Sequence, residues 1–112
     1  MGLIAREIEA AGVPTLSMTS AWDITRAVAP PRAVYVHHPL GHQTGAPGDP
    51  VGQRAIVHAA LQAGIAMQRP GEILRLPFRW EGDSGWEARA YTPEHTPTGP
   101  DGKPNRDRAV PR

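Results

Sequence analysis

Histidines are the side chains of this 112-residue protein best suited to chemistry at neutral pH, because the chain has five of them and no cysteine. Three stand close together. His37 and His38 open the segment HHPLGHQTGAPGD, and His42 follows four residues after His38. Gly41 and Gly45 let backbone approach a ligand closely, and two prolines stiffen the segment. Asp49 closes it immediately before Pro50, the pattern of an N-cap followed by proline at the first helical position. Free N–H groups at such a helix start attract anions, carboxylates included. Thr19 and Ser20 end an earlier β-like run and could face the same ligand. Substrate-binding residues are therefore expected among Thr19, Ser20, His38, Gly41, His42, Gly45 and Asp49.

Plainer roles compete with each of these. Thr19, Ser20 and Asp49 are residue types that cap helices. Adjacent His37 and His38 on a strand point to opposite faces, so one packs and the other is exposed. H-H-x₃-H is not a standard metal spacing, and no metal is expected, although His38, His42 and Asp49 could together take a divalent ion. His58 falls in a helix and His95 near the C-terminus, too far away to assign. No Ser-His-Asp set, P-loop or GxGxxG occurs, so neither a catalytic residue nor a cofactor is expected.

The elements that must position this loop follow from hydrophobic periodicity. Gly2–Ala11 reads as a helix with Ile4, Ile8 and Ala11 on one face, stopped by Gly12 and Pro14. Arg6 and Glu9 on that helix are placed to form a surface pair. Val13–Thr19 reads as a strand. Ser20-Ala21-Trp22-Asp23 has the form of a capping box, opening a helix that buries Ile24, Ala27 and Val28 before Pro30-Pro31. The apolar run Ala33–His37 is a strand covered on both faces. The helix after Asp49 presents Ile56, Val57, Ala60, Leu61 and Gly64. Glu72–Trp80 alternates as a half-exposed strand, with Pro77 suited to a sheet edge. The order α-β-α-β-α-β predicts an α/β fold: a small three-layer Rossmann-like domain with a short parallel sheet, lacking its first strand. Ligands bind such sheets at the carboxyl ends of the strands, which is where the His37–Asp49 loop falls.

Composition narrows the function further. Residues 1–80 form a partial α/β domain, and the Pro-, Gly- and charge-rich stretch 81–112 reads as a disordered tail. A domain of about 80 residues buries little more than about 60% of its unfolded surface, so another protein subunit or self-association is expected. Twelve Lys+Arg against eleven Asp+Glu, with no basic run interleaved with aromatics, argue against nucleic-acid binding. No apolar stretch approaches the ~20 residues of a membrane span, and the first residues lack a signal peptide's apolar core. The default location is cytoplasmic.

Three collinear segments across residues 2–80 carry a resemblance. IAREIEAAGVPT resembles the REIE-x-AGIP segment of the selenoprotein B components of glycine, sarcosine and betaine reductases. HHPLGHQTGAPGDP resembles their HP-x-G…P loop, with His38, Pro39 and Gly41 matching. PGEILRLPFRW resembles the closing strand of short stand-alone members, which also carry a segment like Pro30–Ala33.

The resemblance implies reductive cleavage of a C–N bond in a small amine. In that family a selenocysteine or cysteine in a turn attacks, some members use a pyruvoyl group on another chain, and a carrier selenoprotein and an acetyl-phosphate-forming subunit take part. The family's thiol-bearing turn precedes the helix that opens here at Met1-Gly2, where a helix N-terminus favours a thiolate. This chain has no thiol. The expectation is therefore a subunit or fragment of such a system that shapes a small-amine pocket without doing redox chemistry. A late start codon, a split gene and a non-catalytic relative all account for the departure. The alternatives are a divalent-metal protein using His38 and His42, or a structural partner docked on a larger reductase subunit.

Overall fold

Ala33, Val34, Tyr35 and Val36 are buried to within 1% of their surface, so the continuous apolar run marks the centre of the molecule. The structure, a computed structural model, describes residues 1–90. Its elements are α1 (Gly2–Ala10), β1 (Ser17–Thr19), α2 (Trp22–Val28), β2 (Arg32–Tyr35), α3 (Pro50–Ala66), β3 (Glu72–Arg75) and α4 (Trp86–Ala90). The three strands form one open parallel sheet in the order β1-β2-β3, with Met18 opposite Val34 and Val34 opposite Leu74. The expected α/β architecture with a short parallel sheet is thus present. Within the stretch read as tail, residues 81–90 carry α4; residues 91–112, His95 among them, lie outside the described residues.

Alternation along β2 sorts its side chains into two environments. Val34 and Val36 face α3 and pack with Ile56, Ala60, Ala63 and Leu76, flanked by Leu16, Met18, Ala59 and Phe78. Tyr35 faces the other way, with Trp22 of α2 set edge-on to its ring at 5.3 Å. Helix α3 is turned from its expected face: Ile56, Ala60, Ala63 and Gly64 are buried, while Val57 and Leu61 are exposed. Small residues decide this rotation, because a Cβ on Gly64 would sit 3.2 Å from Leu16 Cδ2. Leu16, just ahead of β1, therefore comes closer to that face than a larger side chain at Gly64 would allow.

Two more expectations about helical faces are corrected. Helix α1 buries Ala5 and leaves Leu3, Ile4 and Ile8 exposed. It approaches α2 through Gly2, where a Cβ would meet Val28 Cγ1 at 2.6 Å. Helix α2 buries Thr25 rather than Ile24 or Ala27, and it ends at Ala29 in the left-handed region, φ 51°, before the two prolines. Arg6 and Glu9 do not pair with each other. Arg6 donates to the Val28 carbonyl, while Glu9 bonds Arg32 at 2.9 Å and Thr15 at 2.7 Å, tying α1 to the start of β2. Strand β3 is shorter than the alternating run. Leu76 N still donates to Tyr35 O at 2.9 Å, but Pro77 has no N–H to continue the ladder.

Candidate functional site

The carboxyl ends of the strands gather Thr19, Ser20 and the loop from His37 to Asp49. Thr19 and Ser20 are already engaged within the fold. Thr19 Oγ1 accepts from Ala21 N at 3.0 Å and from the Thr25 hydroxyl at 2.8 Å. Ser20 Oγ donates to the Val36 carbonyl at 2.8 Å, so the expected capping box does not form. Helix α2 has Ala21 as its N-cap, without a side-chain bond, and Asp23 lies in its first turn. The Val36 carbonyl, the next acceptor along the central strand, captures the hydroxyl that local sequence assigns to the helix.

The loop itself is built as a series of tight turns. His38 N donates to Val36 O, His42 N to Pro39 O and Gly45 N to His42 O. Gly41 and Gly45 have φ of +89° and +114°, conformations that other residues adopt with strain. At Gly45 the close approach is internal: a Cβ would lie 3.0 Å from Gln53 Cγ. Gln53 also clamps the loop by donating from Nε2 to Ala46 O at 2.7 Å, a role its position in the sequence does not announce. Asp49 caps α3 as expected, accepting from Gly52 N at 3.0 Å.

His38 is the buried member of the loop, 4% exposed, with Nδ1 3.1 Å from the His42 carbonyl oxygen. Its Nε2 and the Nδ1 of His42 are both buried and have no hydrogen-bond partner. Both rings lie edge-on to Trp80, at 5.4 and 5.0 Å between centroids. An unsatisfied buried polar atom costs about 1–3 kcal/mol, so each of these two nitrogens calls for an explanation. The trio of His38, His42 and Asp49 is not assembled: among the described residues no three His, Asp or Glu side chains group as metal ligands.

On the other face, His37 is fully partnered. Tyr35 Oη lies 2.6 Å from its Nδ1, and Glu87 Oε1 lies 2.9 Å from its Nε2. Trp86 packs against the ring at 5.1 Å, and the Arg75 guanidinium sits 5.7 Å over Tyr35. A carboxylate can only accept, so His37 Nε2 carries the proton and Nδ1 takes the Tyr35 hydroxyl. Before α4, Asp83 bonds the Arg89 guanidinium and accepts from Gly85 N at 2.8 Å. These hydrogen bonds, that of Arg89 foremost, hold its carboxyl below the usual carboxylate range. Tyr35, Trp80, Trp86 and Glu87 were not signalled by the sequence. Trp80 appears there as one apolar position in an alternating strand, and Glu87 lies beyond the expected domain.

No helix among the described residues is long and apolar enough to cross a membrane. No family model matches the chain, and no solved structure matches it. Its sequence is 31% identical over 78 residues to D-proline reductase subunit gamma of Acetoanaerobium sticklandii, a match covering 70% of this chain and 32% of that protein. The chain spans about a third of the length of this curated relative. Glycine, sarcosine and betaine, the substrates of the family that the motifs resemble, do not figure in the relative's name. What the similarity shows is coarser: the chain is distantly related to a reductase subunit.

Proposed function

We propose that this protein is a subunit or fragment of a reductase system acting on small amines of the glycine, sarcosine or betaine type. It supplies part of the substrate pocket, and another chain supplies the thiol or selenol. The observation that carries this reading is a 78-residue similarity to a reductase subunit in a chain with no cysteine. A reductive C–N cleavage of the family's kind needs a nucleophilic sulfur or selenium, and no side chain here provides one. The loop from His38 through Gly41, His42 and Gly45 to Asp49 forms the pocket wall, with His38 and His42 as its polar floor. Thr19 and Ser20 support that wall through Val36 and Thr25 rather than touching substrate. The D-proline in the relative's name adds a cyclic secondary amine to the substrates worth testing.

The test is reconstitution. The purified chain is combined with the products of its neighbouring genes and a dithiol, and loss of glycine, sarcosine, betaine and D-proline is followed. We expect no turnover by the chain alone and turnover of one amine by the combination. Turnover by the chain alone overturns the division of labour. A combination equally active without the chain removes its role.

A purely docking role is the second reading, favoured by Leu3, Ile4 and Ile8, which α1 leaves exposed. Stable association with the reductase subunits, without amine binding at the loop, supports it over the first.

A further inference from the structure

We propose that His38 and His42 together hold a late first-row transition-metal ion beneath Trp80. The tautomer of His38 is set by its surroundings. A carbonyl oxygen can only accept, so the contact with His42 O places the proton on Nδ1 and leaves a lone pair on Nε2. Metal-ligating histidines are oriented in this way, by donating the other ring N–H to a carbonyl or carboxylate. His38 Nε2 is buried and unpartnered, and so is His42 Nδ1. The carbonyl that orients His38 belongs to His42, so one tight turn links the two residues, and Gly41 makes that turn possible. Trp80 lies edge-on to both rings.

The donor set defines the class of ion. Two imidazole nitrogens with no carboxylate suit copper, nickel or zinc and do not suit magnesium or calcium, which take oxygen ligands. Two protein ligands leave coordination positions open to water or to a small ligand entering past Trp80. A bridging water is the competing occupant, since it could satisfy both nitrogens by hydrogen bonding. The inference shares its location with the proposed pocket but does not depend on an amine substrate. Failure of the reductase assay leaves it standing, and failure to bind metal leaves the reductase reading standing.

The experiment uses the full chain, stripped with a chelator and titrated separately with Cu²⁺, Zn²⁺ and Mg²⁺. Imidazole nitrogen shifts are followed by NMR and binding by calorimetry. We expect one equivalent of copper or zinc, copper binding tighter, magnesium not binding, and the largest shifts at His38 Nε2 and His42 Nδ1. His38→Gln and His42→Gln each weaken binding by about tenfold or more. His58→Gln and His95→Gln leave it unchanged, and Trp80→Phe removes most of the accompanying change in tryptophan emission. The wild-type shifts decide the matter even if a variant fails to fold. Unmoved resonances of His38 and His42 on adding metal overturn the proposal in favour of water, as does binding lost with His58→Gln or His95→Gln.

Discussion

His37 and His38 are joined by one peptide bond, yet they end in opposite circumstances. His37 is held on one side of the sheet by Tyr35 and Glu87, so both its nitrogens have partners. His38 turns to the other side, where one nitrogen is satisfied by His42 and the other is buried without a hydrogen-bond partner, the ring lying edge-on to Trp80. Strand alternation separates the rings; what differs is the company each face provides. The first side is a completed network that fastens α4 to the sheet. The second holds two buried nitrogens without hydrogen-bond partners, and each such group in a folded protein calls for an explanation.

The contrast can be broken most forcefully at Tyr35. Tyr35→Phe keeps the buried ring but leaves His37 Nδ1 without its donor, and should cost about 1–3 kcal/mol in urea denaturation. A loss within the scatter of surface substitutions would mean that the completed side is not completed in solution. Asp49→Ala probes the far end of the loop on the incomplete side. Losing the cap of α3 should cost about 1 kcal/mol, measured in the same way. His38→Leu sharpens the comparison further, because it removes an unsatisfied nitrogen together with one hydrogen bond. Stability of the metal-free protein should stay within about 1 kcal/mol of wild type, and a penalty as large as that of Tyr35→Phe would show that His38 is as fully partnered as His37.

The smallest effect concerns acid. Asp83 has its folded pKa depressed, so its contribution is present above the unfolded pKa and disappears as pH falls through the folded value. Because the group is exposed the effect is slight. It should appear as convergence of wild type and Asp83→Asn in acid unfolding curves; a constant gap at all pH values counts against it.

What could be read from the sequence was what neighbouring residues decide among themselves. Asp49-Pro50 announced the start of α3, and the run Ala33–His37 announced a strand covered on both faces, of which Ala33, Val34, Tyr35 and Val36 are buried. Gly41 and Gly45, expected to let backbone approach a ligand, have positive φ. Errors arose where a distant partner outbid a near one. Ser20 bonds the Val36 carbonyl sixteen residues on instead of capping α2, and Glu9 reaches Arg32 and Thr15 instead of Arg6. Apolar type alone misplaces the helical faces, because Gly2, Ala5 and Gly64 set the approach of α1 and α3. The candidate site was legible in its loop but not in the residues around it. Trp80 and Glu87 reach the histidines by tertiary placement alone, 38 and 50 residues from the imidazoles they meet.

β2 alone of the three strands is paired along both edges. Its amide protons should therefore be the slowest in the molecule to exchange with deuterated solvent, released when the whole chain opens, while those of α1 and α4 exchange through local fraying. His38 follows three residues after the end of that strand, so its unpartnered nitrogen is anchored to the last part of the protein to come apart.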